Sequence, residues 1–144
     1  MREPYTQLYV HLVWSTWDRL PLLSEALKAA VYACIKEECA DLKGEALAVG
    51  GTADHVHLLA RVSSTVSIAT LVKQAKGSTS HLITHRLQHS DGFKWQGAYG
   101  AFSVSKSLVS RVRSYILRQE EHHREGTTDR DLEIAWDERP PPGE

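Results

Sequence analysis

The 144-residue sequence contains no apolar run close to the ~20 residues that a membrane-spanning helix requires, so it is not expected to cross a bilayer. Its first ten residues include an acid and a proline and have no apolar core, so they are not expected to act as a secretory signal peptide. Cysteine is scarce. Cys34 and Cys39, the two present, lie five positions apart on a stretch of helical periodicity and face different sides of it. They read as reduced thiols of a cytoplasmic protein, not as a disulfide framework. The least expected shortage is of acid: between residues 55 and 119 Asp91 is the only one, against Arg61, Lys73, Lys76, Arg86, Lys94, Lys106, Arg111, Arg113 and Arg118. The flanks are acidic, so the formal net charge of −1 conceals a segregated chain. A basic central block is the usual footprint of a phosphate-binding surface, and a solvated basic face is the alternative.

What is present is enough for one packed domain, with 42% hydrophobic residues and 24% charged. Residues 7–17 alternate as a strand, with Leu8, Val10, Leu12 and Trp14 on one face and Tyr9, His11, Val13 and Ser15 on the other. Ser24 can cap a helix whose apolar stripe is Leu27, Ala30, Val31, Cys34, Ile35 and Leu42. Residues 45–51 and His55–Val62 read as two strands of an antiparallel hairpin. Ile68, Leu71, Val72, Ala75, Leu82, Ile83 and Leu87 mark a second helix, and Lys94–Ser105 reads as a fourth strand. Ser105 or Ser107 can cap a last helix running to about Glu125. The order β-α-β-β-α-β-α predicts an α+β fold: a mainly antiparallel sheet with helices packed on one face, a ferredoxin-like βαββαβ sandwich, plus a C-terminal helix. Residues 1–125 form the expected domain. Residues 126–144, acidic and ending Pro140-Pro141-Pro142-Gly143, are expected to be an extended tail.

The sharpest motif is Asp54-His55-Val56-His57-Leu58-Leu59. On a strand, residues i and i+2 share a face, so His55 and His57 project together while Val56, Leu58, Ala60 and Val62 face the core. Two such imidazoles can converge on one divalent metal, or can be unrelated polar residues on a solvated face. A histidine-triad hydrolase would want a third histidine at position 59, which is Leu59. Tyr115 and Gln119, four apart, share one face of the last helix. A tyrosine hydroxyl can attack phosphorus and an amide oxygen can ligate a metal. Alternatively, Tyr115 is an amphipathic residue at a core margin. Arg111, Arg113 and Arg118 lie near enough to hold phosphates, and His122 and His123 are solvated or phosphate-contacting.

Four segments, YVHLVWST (9–16), DHVHLL (54–59), WQGAYGAFSVS (95–105) and YILRQEEHH (115–123), resemble in order the single-tyrosine HUH transposases of the insertion sequence 200/605 class, with the REP-associated tyrosine transposases as close relatives. The resemblance spans roughly residues 5–125. It implies a metal-dependent transposase acting on single-stranded DNA, with Tyr115 as nucleophile and His55, His57 and Gln119 as ligands of Mg²⁺ or Mn²⁺. It further implies a 5′-phosphotyrosine intermediate, a hairpin in the substrate, a homodimer with shared active sites, and DNA contacts drawn from Arg61, Lys73, Lys76, Lys106, Arg111, Arg113, Arg118, His122 and His123. Family members usually carry another helical segment after the paired histidines, where Gly126–Trp136 is short and polar here. The rival functions are a non-catalytic or domesticated DNA-hairpin-binding protein of the same fold and a small metal-dependent phosphodiesterase.

Overall fold

The computed structural model describes residues 4–87, 92–119 and 126. The elements are β1 (Tyr9–Ser15), α1 (Glu25–Asp41), β2 (Glu45–Gly51), β3 (His55–Arg61), α2 (Ile68–His81), β4 (Gly100–Val104) and α3 (Val109–Leu117). The strands form one sheet in the order β2-β3-β1-β4, and every neighbouring pair is antiparallel. This is the expected ferredoxin-like arrangement.

Local chemistry explains the helix starts. The Ser24 hydroxyl accepts from the Leu27 amide at 3.3 Å, and Ser67 accepts from Thr70 at 3.0 Å, each satisfying an otherwise orphan N–H of the first turn. Leu27, Val31 and Ile35 of α1 and Leu71, Val72 and Ala75 of α2 are buried against Leu12, Trp14, Val56, Leu58 and Ala60. That side is the main core, and it is the face on which helices were expected. α3 lies on the opposite face, where Val112 and Ile116 bury Ala48 and Leu59. The face carrying His55 and His57 is therefore covered, not open.

Two boundaries differ from the sequence pattern. Lys94–Ser105 is not one strand: β4 is limited to Gly100–Val104, and Trp95 makes an isolated bridge to Thr16. The Trp95 ring is drawn into the main core, where its indole N–H donates to Thr79 at 2.9 Å. Lys76 reaches from α2 to donate to the carbonyls of Gln96 and Ala98, both at 2.8 Å, and so fixes the intervening chain outside the ladder. The last helix is entered through a 3-10 turn at Lys106–Leu108, because Ser105 and Ser107 hydroxyls meet each other at 3.2 Å and neither caps the helix. α3 ends at Leu117, because Arg118 leaves the helical region (φ −113°, ψ 26°), so the expected unbroken helix to Glu125 is interrupted there; His122, His123 and the tail apart from Gly126 lie outside the described residues. Among the described residues no helix is long and apolar enough to cross a membrane.

Candidate active site

Strand pairing brings the polar residues together. In the β1–β3 ladder His11 faces Leu59, Val13 faces His57 and Ser15 faces His55, so all six side chains belong to the α3 side of the sheet. His11 and His57 are wholly buried, and His55, Gln119 and Tyr115 are nearly so. α3 supplies the roof. Its Tyr115 ring stands edge-on to the His57 ring with centroids 6.3 Å apart, and Gln119 follows just beyond the helix end.

Glycine sets the height of that roof. A Cβ at Gly50 would collide with the carbonyl oxygen of Ile116, so only a bare backbone on β2 lets α3 settle this close to the sheet. The guanidinium of Arg113 also donates to the Leu47 carbonyl at 3.1 Å, a second tie between α3 and β2.

The two histidines are each held from behind. His55 Nδ1 is 2.7 Å from the Asp54 carboxylate and 2.9 Å from the Thr52 hydroxyl, which itself donates to Asp54 at 3.1 Å. The hydrogen bond to His55 holds the Asp54 carboxyl below its ordinary value, against the opposing effect of burial. A charged Asp54 accepts, so His55 Nδ1 carries a proton, and in the neutral ring Nε2 is then the acceptor nitrogen. His55 Nε2 in turn lies 3.1 Å from Gln119 Oε1. The turn bearing Asp54 is anchored by the Thr16 amide, which donates to the Asp54 carbonyl at 2.8 Å. His57 Nδ1 is 2.8 Å from His11 Nε2, so Nε2 is the nitrogen of His57 that could ligate a metal.

This donor set fits a divalent ion. A neutral His55 would present its Nε2 lone pair 3.1 Å from the Gln119 carbonyl oxygen, a spacing that suits adjacent ligands on one ion at roughly 2.0–2.2 Å. Carboxylate–histidine support is the usual outer shell of a ligating imidazole. Among the described residues no three His, Cys, Asp or Glu side chains group to hold an ion, and the Gln119 amide is the further oxygen donor beside the two imidazoles. A cleft of about 510 Å³ opens beside it, lined by Lys28, Tyr32, Gly51, Arg118 and Gln119.

The remaining basic residues divide between the two faces. Lys106 in the turn leading into α3, Arg111 and Arg113 on the helix, and Arg118 at its C-terminal cap are exposed. Arg61 ends β3, 3.7 Å from Glu45. Lys73 and Lys76 belong to α2 on the far side of the sheet, with Lys73 beside Glu37 and Glu38 and Lys76 half-buried on its two carbonyls. The basic block in the sequence is thus not one patch in space.

Sequence reasoning assigned no role in this site to three residues. Thr52 and Asp54 precede the histidine pair, and a carboxylate next to a candidate ligand was the available signal. His11 carried no local signal, because its partner is 46 positions away.

The model of the family described as "Transposase IS200 like" matches residues 4–119. No curated protein matches the chain. Among solved structures, a candidate transposase from Deinococcus radiodurans R1 superposes with a TM-score of 0.65 at 23% identity, over 81% of this chain and 93% of that one. A REP-associated tyrosine transposase bound to a REP hairpin superposes with a TM-score of 0.62 at 14% identity, over 89% of this chain and 74% of that one. At such identities the structural likeness speaks for the fold, and the family match over most of the sequence settles membership: the chain belongs to the IS200-like transposase family.

Proposed function

We propose that this transposase nicks and rejoins single-stranded DNA by transesterification, with Tyr115 as nucleophile and a divalent ion, Mg²⁺ or Mn²⁺, held by His55, His57 and Gln119. The observation that carries the reading is the burial of Tyr115 and Gln119 against His57 and His55 within one chain. The Tyr115 oxygen attacks the scissile phosphorus, forming a P–O bond to the ring as the bond to the 3′ oxygen breaks. The phenol loses its proton and the leaving oxygen gains one, giving a 5′-phosphotyrosine and a free 3′-OH. Because the covalent link conserves the phosphodiester, a second 3′-OH can reverse the step and join strands. The ion supplies Lewis-acid charge to the phosphoryl oxygens when bound. His55 and His57, neutral and fixed by Asp54, Thr52 and His11, orient their lone pairs without adding negative charge beside the phosphate. Arg111 on α3 and Arg118 at its C-terminal cap, both exposed, provide phosphate contacts near the nucleophile.

The hairpin bound by the REP-associated neighbour supports a substrate in which a single strand flanks a hairpin. We further propose a homodimer. One chain already gathers the whole set, so a shared site would require α3 to exchange between subunits. Labelled single-stranded DNA run on a denaturing gel tests the chemistry: wild type forms a protein–DNA adduct and Tyr115→Phe, which loses only the hydroxyl, forms none. Adduct persisting in Tyr115→Phe would transfer the role, with Tyr99 next to be tested. Cleavage without any adduct would favour a hydrolytic phosphodiesterase, and hairpin binding without cleavage a non-catalytic binder.

A further inference from the structure

We infer that His11 is a positioning residue for the metal site: its Nε2 accepts a hydrogen bond from His57 Nδ1 and thereby holds His57 in the tautomer whose Nε2 can ligate. This inference rests on the metal reading above. The two nitrogens are 2.8 Å apart and both residues are wholly buried. The rings are inclined by only 17° with centroids 5.0 Å apart. An N···N contact of 2.8 Å is shorter than the roughly 3.5 Å of ring stacking, so the rings meet edge to edge in nearly one plane, the geometry of a hydrogen bond. Register explains how. His11 and His57 are diagonal neighbours on adjacent strands, and the Phe102 ring of β4, 6.0 Å from the other side of β1, backs the His11 ring.

The tautomer follows from the bookkeeping of protons. A neutral imidazole has one donor and one acceptor nitrogen, and a ligating nitrogen must be the acceptor. For His57 to ligate through Nε2 its proton must sit on Nδ1, and the atom that receives that hydrogen bond is His11 Nε2. His55 has the same arrangement with Asp54 as its acceptor, so the two ligands are supported differently: one by a carboxylate, the other by an imidazole. Loss of such outer-shell support lowers metal affinity by roughly 10–100-fold.

The test uses the full chain and Mn²⁺ alone, followed by electron paramagnetic resonance of free and bound ion. His11→Leu, which fills the space without an acceptor, should weaken Mn²⁺ binding by roughly 10–100-fold. His11→Gln, whose Oε1 can stand near the place of the imidazole Nε2, should recover most of the affinity. His11→Leu binding within twofold of wild type, or His11→Gln as weak as His11→Leu, overturns the assignment. Should the variants not fold, nitrogen-15 NMR of the metal-free wild type decides: His57 protonated on Nδ1 upholds it, and on Nε2 overturns it. His57→Ala serves as the separate control. If that variant binds Mn²⁺ as well as wild type, the metal reading itself has failed, whatever His11 does.

Discussion

The two faces of the sheet are built from the same strands and obey opposite rules. Toward α1 and α2, β1 and β3 present Leu12, Trp14, Val56, Leu58 and Ala60, an apolar set that lowers free energy simply by leaving water. Toward α3 the same strands present His11, His55 and His57 around a small apolar cluster of Ala48, Leu59, Val112 and Ile116. Buried imidazoles and an amide bring desolvation costs that hydrogen bonds only offset. One face therefore makes the domain stable, and the other uses part of that stability to hold polar atoms at fixed positions.

Adjacent residues of β3 give the strongest way to break this division. His57→Ala should lower adduct formation at least ~100-fold, on the scale of losing a charge-stabilising group, while the thermal transition stays cooperative. Leu58→Ala, one residue along and wholly buried in the main core, should cost about 2–5 kcal/mol in denaturant unfolding, while the folded fraction keeps its cleavage rate. Equal loss of stability and activity in both variants would show that the faces are not separate.

Gly50→Ala sharpens the comparison from the backbone. The added methyl meets the Ile116 carbonyl and must lift α3. Adduct yield should fall at least ~10-fold, as for an ångström-scale misplacement of a reacting group, with a smaller relative loss of stability. Unfolding midpoint and adduct yield measured on one preparation check the expected order.

Asp54→Asn is expected to have a smaller effect. The Asp54 carboxyl is held below its ordinary value by its bond to His55, so its contribution to stability is present above the unfolded-state pKa and disappears as pH falls through the folded-state pKa. The variant should be less stable than wild type at neutral pH, and the gap should close on acidification, read as urea midpoints over an acid series. A gap that widens toward low pH would contradict the assigned hydrogen bond.

The smallest effect expected is at Lys76. Burial pulls its ammonium down to about 8, so the charged form opposes folding below that pH, and stability is regained as pH rises from there toward the ordinary lysine value. Lys76→Met should flatten this alkaline rise in the unfolding midpoint and leave adduct formation at neutral pH within a few-fold of wild type.

The face toward α1 and α2 was legible in the sequence because its signals are local. Period-two alternation in β1 and β3, the Ser24 cap and the stripe of α1 each lie within a few residues. The candidate site was legible only in part. His55 and His57 share a strand face by pleat geometry and can be read as a pair, whereas the i, i+4 spacing of Tyr115 and Gln119 points to one helix face although α3 ends at Leu117 and Gln119 lies just past it. What brings them together is the docking of α3, and what holds His57 is a residue 46 positions earlier. The break before β4 was hidden for the same reason: Lys76 takes two carbonyls twenty or more positions ahead of it.

The order of these parts along the chain has a consequence for biosynthesis. By the time residue 104 has been made, all four strands and both helices of the apolar layer exist, whereas the hydroxyl proposed to attack DNA and the amide proposed to hold the metal have still to follow at positions 115 and 119. A nascent chain can thus acquire its shape before it holds any nucleophile of the proposed kind on α3. Translation halted before residue 109 yields a sheet with Ala48 and Leu59 bare of their covering helix, an adhesive surface that quality control can recognise.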